Sequence, residues 1–233
     1  MVTRVEKAKA RINVGLRNYA SRLEAASQRS INEADTSSIV YDLLGDVLGY
    51  NKGEDLTGQF KVRGQYADYA VKVNGDIKFF VEVKATGTAL RADHLRQVMA
   101  YALDQGVDWA ILTNGSIWQV YHVAFERPVN VELVFEVDLL SGNRAEVIDL
   151  LYLIGKEGMA KDEVRNYWTD KLAVSAPNIM RVLLCDAAIY QMRREFRQLT
   201  GHRLSLEEMR KLVLSQVVRQ ELADATCGVP PNP

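Results

Sequence analysis

Two stretches near the start of the chain repeat apolar residues at intervals of three and four positions. The first stretch comprises Val5, Ala8, Ile12, Leu16, Tyr19 and Leu23, and the second comprises Ile39, Val40, Leu43, Leu44, Val47 and Leu48. This spacing puts the apolar side chains on one face of a helix. It predicts one amphipathic helix over residues 5–23 and another over residues 33–48, with Gly49 as the C-terminal cap of the second.

The middle of the chain changes to strand patterns. Two runs rich in β-branched and aromatic residues flank Asn74-Gly75, which is a strong hairpin signal. The second run, residues 77–83, is almost continuously apolar and suits a strand that is covered on both faces. Further patterns predict a strand over 59–62, a helix over 90–104, strands over 109–113, 117–125 and 129–137, and a helix over 143–154. This order is that of a mixed α/β sandwich.

Beyond Gly155 the patterns are helical, with predicted helices over 162–172, 177–199 and 206–222. We therefore divide the chain into an α/β core with a basic N-terminal helix (1–155), a helical appendage (156–227) and a tail (228–233). The appendage carries the basic residues Arg193, Arg194, Arg197, His202, Arg203, Arg210 and Lys211. DNA contact, dimerisation and docking of a partner all fit this segment, and the pattern does not choose among them.

Composition is that of an ordinary globular protein, with 48% apolar residues, 25% charged residues and a net charge of -1. No apolar stretch approaches the roughly 20 residues that a membrane-spanning helix needs, and the N-terminus lacks the features of a secretory signal. Cys185 and Cys227 stand far apart with no His at ligand spacing. We therefore expect neither a disulfide framework nor a zinc site, and a cytoplasmic location without membrane contact.

Basic residues are concentrated at the N-terminus although the whole chain is nearly neutral. They are Arg4, Lys7, Lys9, Arg11, Arg17, Arg22 and Arg29. A solvated helix face and a phosphate-binding patch both fit such a run. The chain contains no glycine-rich phosphate loop, so these residues give no indication of an ATP-driven motor.

Charged residues interrupt the apolar hairpin at one end. Glu82 and Lys84 are two positions apart in the second strand and so project from the same face, and Asp68 lies in the first strand. A surface ion pair on a sheet edge would explain these charges. The alternative is a metal-dependent phosphodiesterase site, in which two carboxylates hold a hard cation such as Mg²⁺.

The pairing of the two strands tests the second explanation. A strict two-residue loop would place Asp68 opposite Val81. Asp68 and Glu82 would then point to opposite faces, because a shift of one residue reverses every side chain. A shared site therefore predicts a three-residue loop, a bulge at Gly75 or a bend of the strand at Asp68.

Four short sequence motifs resemble those of a known family. They are N-E-A-D-T at 32–36, V-E-V-K at 81–84, R-Q-V-M-A-Y-A at 96–102 and I-L-T-N-G-S-I-W-Q-V-Y at 111–121. In this order they resemble the PD-(D/E)xK nuclease superfamily, in particular the N-terminal nuclease domain of type I restriction enzyme R subunits. The likeness covers roughly residues 30–125. It implies a restriction-endonuclease-like mixed β-sheet core, α-β-β-β-α-β, flanked by helices. The chain departs from the pattern at Ala67, where the name-giving proline would stand, and it lacks the helicase motor.

The resemblance implies a metal centre at the end of the hairpin. Asp68 and Glu82 would hold Mg²⁺, for which Mn²⁺ would substitute, with the carbonyl oxygen of Val83 as a third ligand. Lys84 would position or activate the attacking water.

The resemblance also assigns supporting residues on two helices. Glu33 matches an early acidic residue that supports the metal site. Gln97 and Tyr101, one helical turn apart, match a Q-x-x-x-Y motif that lines the site and helps to place the nucleic acid.

Three functions follow from these readings. The leading hypothesis is a stand-alone magnesium-dependent DNA endonuclease of restriction or mobile-element type, with DNA as partner and a homodimer or a restriction-system subunit as further partners. The second is a non-catalytic DNA-binding or assembly module on a nuclease scaffold. The third is a structural α/β protein whose charges solvate the end of the sheet.

Overall fold

A six-stranded mixed sheet forms the core of the computed structural model, which describes residues 2–29, 31–62, 64–125 and 129–217. The strands are Leu56–Val62 (β1), Gln65–Val73 (β2), Asp76–Val83 (β3), Trp109–Thr113 (β4), Ile117–Ala124 (β5) and Asn130–Asp138 (β6). They lie side by side in chain order. β3 and β4 run parallel, and the other neighbouring strands run antiparallel. The protein is therefore a mixed α/β protein, as the sequence predicts.

The helices that accompany the sheet are Arg4–Gln28 (α1), Glu33–Asp42 (α2), Ala92–Gln105 (α3), Arg144–Ile154 (α4) and Lys156–Met159 (α5). α1 follows its predicted stripe, with Ile12 and Leu16 fully buried. The helix predicted over 33–48 differs in its second half, where α2 passes into a π-helical turn at Leu43–Val47. This turn buries Leu43, Leu44 and Val47. Gly49 follows with φ +87°, as expected of a C-terminal cap.

The sheet is covered on both faces. Ala70 and Phe80 pack against α3, in a cluster that includes Val98 and Tyr101. On the opposite face the Phe79 ring meets that of Tyr50, and the Tyr69 hydroxyl hydrogen-bonds with Ser37 of α2 at 2.7 Å. α1 packs against α2 and α4. Burial on both sides explains why the sequence of β3 is almost continuously apolar.

A two-residue turn closes the central hairpin. Asn74 and Gly75 have φ angles of +54° and +90°, as in the primed turns that match the twist of paired strands. Val73 pairs with Asp76 directly across this turn. The predicted three-residue loop and the predicted bulge at Gly75 are therefore wrong.

The bulge lies further along, at Lys78. Lys72 pairs with Ile77, whereas Val71 pairs with Phe79, so Lys78 is an extra residue in β3. The pairing then continues to Tyr69 and Val81. One step further, this register sets Asp68 opposite Glu82, on the same face of the sheet. The prediction that Asp68 and Glu82 share a face is confirmed, but the extra residue that brings them onto one face is Lys78 and not Gly75.

The chain divides into two compact units, with the division after Arg165. Residues 156–165, assigned to the appendage by the sequence, belong to the first unit. The helix Glu163–Ala173 (α6) crosses the division, and the second unit contains Ala176–Leu184 (α7), Asp186–Thr200 (α8), Leu206–Leu212 (α9) and a π-helical turn at Val213–Val217. Residues 218–222, Cys227 and the tail lie outside the described residues. In the described part of the chain, no helix is long and apolar enough to cross a membrane.

The single helix predicted over 177–199 is wrong. The backbone is extended at Cys185, with φ -65° and ψ 152°, and this residue separates α7 from α8. The interruption lets the two helices pack together. Their core with α9 centres on Ile189, Met209 and Val213. The capping box of Ser205 and Glu208 at the start of α9 has both expected hydrogen bonds.

Candidate functional site

Asp68 and Glu82 stand side by side on the face of the sheet that α3 covers. Asp68 Oδ2 accepts a hydrogen bond from the backbone N–H of Val83 at 2.8 Å. Its Oδ1 accepts a longer one, 3.4 Å, from the side chain of Gln59 in β1. Glu82 is only 2% exposed. The two carboxylates are thus held by neighbouring strands, and one of them is fixed to the backbone beside the other.

Lys84 links the hairpin to α2. Its Nζ lies 2.7 Å from Glu82 Oε1 and 3.6 Å from Glu33 Oε1. Its backbone N–H donates to the carbonyl of Thr113 at 2.8 Å, which extends the parallel pairing of β3 and β4. Glu33 is the first residue of α2, where a carboxylate favours the positive helix end. Two carboxylates therefore lie within 4 Å of one ammonium group, and the charge of Asp68 acts on the same group.

Burial dominates the electrostatics of Glu82. It raises the pKa of the carboxyl from 4.5 to about 7, and the charges of Asp68 and Glu33 act in the same direction. The hydrogen bond and charge of Lys84 oppose the rise without cancelling it. Glu82 Oε2 is buried and has no hydrogen-bond partner among the described residues. A buried carboxylate oxygen without a partner is costly, so this atom needs a proton or a cation.

Asp68 and Lys84 are shifted by the same surroundings. Burial raises the pKa of Asp68, although the N–H of Val83 and the charge of Lys84 lower it. Burial alone would lower the pKa of Lys84, but its hydrogen bond to Glu82 and the charges of Glu82, Glu33 and Asp68 raise it on balance. The ammonium therefore stays protonated while the acidic charge around it exceeds its own.

Gln97 and Tyr101 line the same neighbourhood from α3. Gln97 Nε2 donates to the Tyr101 hydroxyl at 2.9 Å, and that hydroxyl donates to the Tyr66 carbonyl at 2.9 Å. Burial raises the pKa of Tyr101, and the charge of Glu82 adds to the rise. Tyr101 is 1% exposed, so it belongs to the core as well as to the site. The chain thus brings together all the side chains that the sequence predicts for the site.

Three residues that the sequence does not single out hold this arrangement in place. Gln59 faces Asp68 with φ +49°, a left-handed conformation that no sequence signal announces for Gln. Thr36 Oγ1 accepts from the N–H of Thr86, two residues beyond Lys84, at 3.1 Å. Asn114 is 4% exposed and donates to the Thr88 carbonyl at 2.8 Å. The Asn114-Gly115 sequence indicates a turn. It does not predict that Asn114 also holds the segment after Lys84 through this hydrogen bond.

Comparison of the chain with protein families, curated proteins and solved structures found no match. The likeness to a nuclease therefore rests on the site itself, namely its residue types, their order along the chain and their arrangement.

The donors present fit magnesium better than a transition metal. Among residues 2–29, 31–62, 64–125 and 129–217, no group of three or more His, Cys, Asp or Glu side chains could hold a metal ion. Mg²⁺ is commonly bound by only one or two carboxylates and keeps several waters. Asp68 and Glu82 supply two such groups, and the predicted Val83 carbonyl is a third hard oxygen. No described residue donates a hydrogen bond to Glu82 Oε2. The oxygen donors and the excess acidic charge therefore suit this ion.

Several basic residues of α1 have structural roles. Lys9 pairs with Asp149 at 2.8 Å, and Arg22 pairs with Asp42 at 2.8 Å. Arg11 makes two 2.7 Å hydrogen bonds to Glu157, which tie α1 to α5. At these three positions the ion pairs favour the structural reading of the basic helix over a phosphate-binding patch.

A polar cavity of about 430 Å³ lies at the opposite end of β3 from Glu82. The hairpin turn, the start of β4 and Arg165 line it. Arg165 is paired with Asp108 and with Asp162, and its guanidinium lies 5.8 Å from the Trp109 ring centre. Arg165 balances one of these two carboxylate charges, and Lys78 lies 3.8 Å from Asp76 at the same cavity, so each carboxylate there has a cationic partner.

Proposed function

We propose that this chain is a magnesium-dependent DNA endonuclease with a restriction-endonuclease-like core. The observation that carries the proposal is the register of the central hairpin, in which the Lys78 bulge aligns Asp68 with Glu82. Lys84 completes the group at 2.7 Å from Glu82. The order of elements, α-β-β-β-α-β with one parallel pair of strands, supports the same class. A surface ion pair on a sheet edge fits less well, because Glu82 is buried and lies in a central strand.

The proposed division of roles follows from position and charge. Asp68, Glu82 and the Val83 carbonyl would hold Mg²⁺. Bound there, the ion would supply Lewis-acid stabilisation of phosphate charge and a water that ionises near neutral pH. The Lys84 ammonium would stabilise negative charge on the scissile phosphate and orient the attacking water. Glu33, at 3.6 Å from that ammonium, would keep it charged and in place.

Substitution of the three central residues tests the proposal on labelled duplex and single-stranded DNA, with Mg²⁺, with Mn²⁺ and with EDTA. We expect metal-dependent cleavage by the natural chain. Asp68→Asn, Glu82→Gln and Lys84→Met should each lower the cleavage rate by at least about 100-fold, because each removes a charge that acts on the reacting phosphate.

Asp76→Asn and Lys61→Met provide matched controls. Asp76 is exposed at the start of β3 and Lys61 is exposed in the neighbouring strand β1, and the two changes remove a negative and a positive charge as the test variants do. They should cleave at the natural rate. Full activity in all three central variants would refute the site, whereas metal-independent binding of DNA without cleavage of any substrate would favour the non-catalytic module.

A further inference from the structure

One face of α8 concentrates aromatic and basic side chains. Tyr190, Arg193, Arg194 and Arg197 follow the spacing i, i+3, i+4 and i+7, which places them on one side of a helix. The neighbouring apolar stripe contains Ile189, Met192 and Phe196, which pack in the core of the second unit. On the basic face, Tyr190, Arg194 and Arg197 are exposed.

The loop after α8 brings in a further arginine. Gly201 ends the helix in the left-handed conformation, with φ +75°, and the chain turns back toward the helix. Arg203 and Leu204 then join the α8 side chains around a cavity of about 260 Å³. We call its four arginines, Arg193, Arg194, Arg197 and Arg203, the arginine cluster.

In the part of the second unit that the structure describes, residues 166–217, no carboxylate forms an ion pair with the arginine cluster. The acidic residues of α8 are engaged elsewhere, since Asp186 pairs with Arg210 at 2.5 Å and Glu195 accepts from Gln191 at 2.8 Å. Arginines one turn apart repel each other. An anion bound between them would relieve this repulsion.

The chemistry of the cavity suits a phosphate group. Guanidinium groups form paired hydrogen bonds to phosphate oxygens and are the preferred side chains for nucleic-acid recognition. The Arg193 guanidinium lies 5.2 Å from the centre of the Tyr190 ring, which holds it over an aromatic face. Tyr190 is 53% exposed, so its ring is also accessible to a base or sugar.

We infer that the arginine cluster binds the phosphate backbone of a nucleic acid. Its residues belong to the second unit, whereas the carboxylates belong to the first, and its binding requires no cleavage. It provides an anchoring contact outside the residues that would carry out the chemistry. Because this contact does not depend on metal, it can be tested even if the proposed nuclease activity is absent.

The test is binding of fluorescently labelled duplex DNA to the full chain in EDTA, measured by anisotropy over a range of salt concentrations. The triple variant Arg193→Gln, Arg197→Gln and Arg203→Gln should bind at least about tenfold more weakly at low salt. The slope of log affinity against log salt should fall by about 2 to 3, since each lost phosphate contact removes about 0.9.

A control with the same loss of charge carries Lys161→Gln, Arg181→Gln and Lys211→Gln, at exposed positions outside the cavity. It should keep the natural affinity and slope. If both triple variants bind DNA equally weakly, the loss of affinity comes from net charge alone and the inference is overturned. Unchanged DNA binding by the test variant would overturn it as well. Binding of phosphatidylserine vesicles and of pyrophosphate is measured in the same way. If the test variant loses binding to one of these but keeps its affinity for DNA, the cluster recognises another anion and the inference is also overturned.

The two proposals fail independently. Weakened binding by the triple variant in a chain that cleaves no DNA would uphold the arginine cluster and refute the nuclease. If the natural chain cleaves DNA in a metal-dependent way and the triple variant binds DNA as tightly as the natural chain, the nuclease is upheld and the arginine cluster is refuted. Circular dichroism melting of each variant checks that α8 remains folded.

Discussion

Glu82 shows how burial and charge combine at a single residue. Its carboxyl is 2% exposed, contacts one ammonium through one oxygen and finds no hydrogen-bond partner for the other within the described part of the chain. Its pKa of about 7 means that the folded protein, without metal, holds a proton on a group that the unfolded chain releases near pH 4.5. A divalent cation would replace that proton. The same residue thus links metal binding, pH and stability.

The first prediction concerns this pH dependence in EDTA. Between about pH 4.5 and pH 7 the folded state binds more protons at Glu82 than the unfolded state, so the free energy of unfolding falls as pH rises. The fall amounts to about 3 kcal/mol and is complete above pH 7. Glu82→Gln stays neutral and should lack it. Urea denaturation at pH 5 and pH 8 measures the free energy of unfolding of both proteins. An equal change between the two pH values in the natural chain and in Glu82→Gln would contradict the raised pKa of Glu82.

The side chains of the candidate site can be predicted from the sequence, but the residues that support them cannot. The E-x-K triplet and the Q-x-x-x-Y spacing predict side chains that the fold brings together. Gln59 supports Asp68 from a left-handed backbone that disfavours residues with a side chain. Asn114 acts through a contact to Thr88, across 26 positions of the chain. Such contacts depend on tertiary packing, which local patterns do not encode.

At the scale of elements, periodicity predicts where structure occurs better than how it is interrupted. β4 spans Trp109–Thr113 as predicted, because a short apolar run between turn residues leaves little freedom. The π-helical turn Leu43–Val47, the bulge at Lys78 and the break at Cys185 carry no such signal. None of these involves a Pro at the irregular position. The π-helical turn buries Leu43, Leu44 and Val47, and the break at Cys185 lies between two helices that pack together, so tertiary packing accompanies both.

The second prediction tests the bulge. Deleting Lys78 removes the unpaired residue but leaves Val71 opposite Phe79 and Asp68 opposite Glu82. The pairing of β3 with β4 begins at Phe79 and is also preserved. We expect the deletion variant to fold and to keep its metal-dependent cleavage within about tenfold, equivalent to about 1.4 kcal/mol. A folded variant without activity, judged by circular dichroism and cleavage assay, would contradict this assignment of the register.

The third prediction concerns the contact between α3 and β2. Tyr101→Phe removes the hydroxyl that donates to the Tyr66 carbonyl and accepts from Gln97. We expect the free energy of unfolding to fall by about 1 to 2 kcal/mol, because buried polar groups lose their partner. Tyr66→Phe, which removes the hydroxyl of a 49% exposed ring, should change it by less than about 0.5 kcal/mol. Equal effects in urea denaturation would show that the buried hydrogen bond contributes nothing.

At the scale of the whole molecule, the residues proposed for chemistry and those proposed for anchoring belong to different units. The first unit contains the sheet and every side chain of the candidate site, and the second contains the arginine cluster. The sequence predicts a helical second part through its change of pattern beyond Gly155. It cannot show that α5 belongs to the first unit, because the pairing of Glu157 with Arg11 joins positions 146 residues apart.

The fourth prediction separates the two roles. A fragment of residues 1–173, which ends with α6, should unfold cooperatively and retain metal-dependent cleavage, since it keeps the whole sheet. Its affinity for duplex DNA in EDTA should fall by at least about tenfold, with the same loss of salt dependence as in the triple arginine variant. Thermal melting, cleavage and anisotropy measure the three properties. A folded fragment that binds as tightly as the full chain would contradict the anchoring role of the second unit.

The parallel pairing of β3 and β4 has a consequence for the order of folding. Asp68 and Glu82 are aligned by a hairpin with a two-residue turn, a local structure of the kind that closes within microseconds. Lys84 is fixed through Thr113, which requires α3 to form and cross over first. We therefore expect the carboxylates to come into register early and the lysine backbone to be secured late. A nascent chain that has not yet delivered β4 would carry the acidic pair without its tethered ammonium.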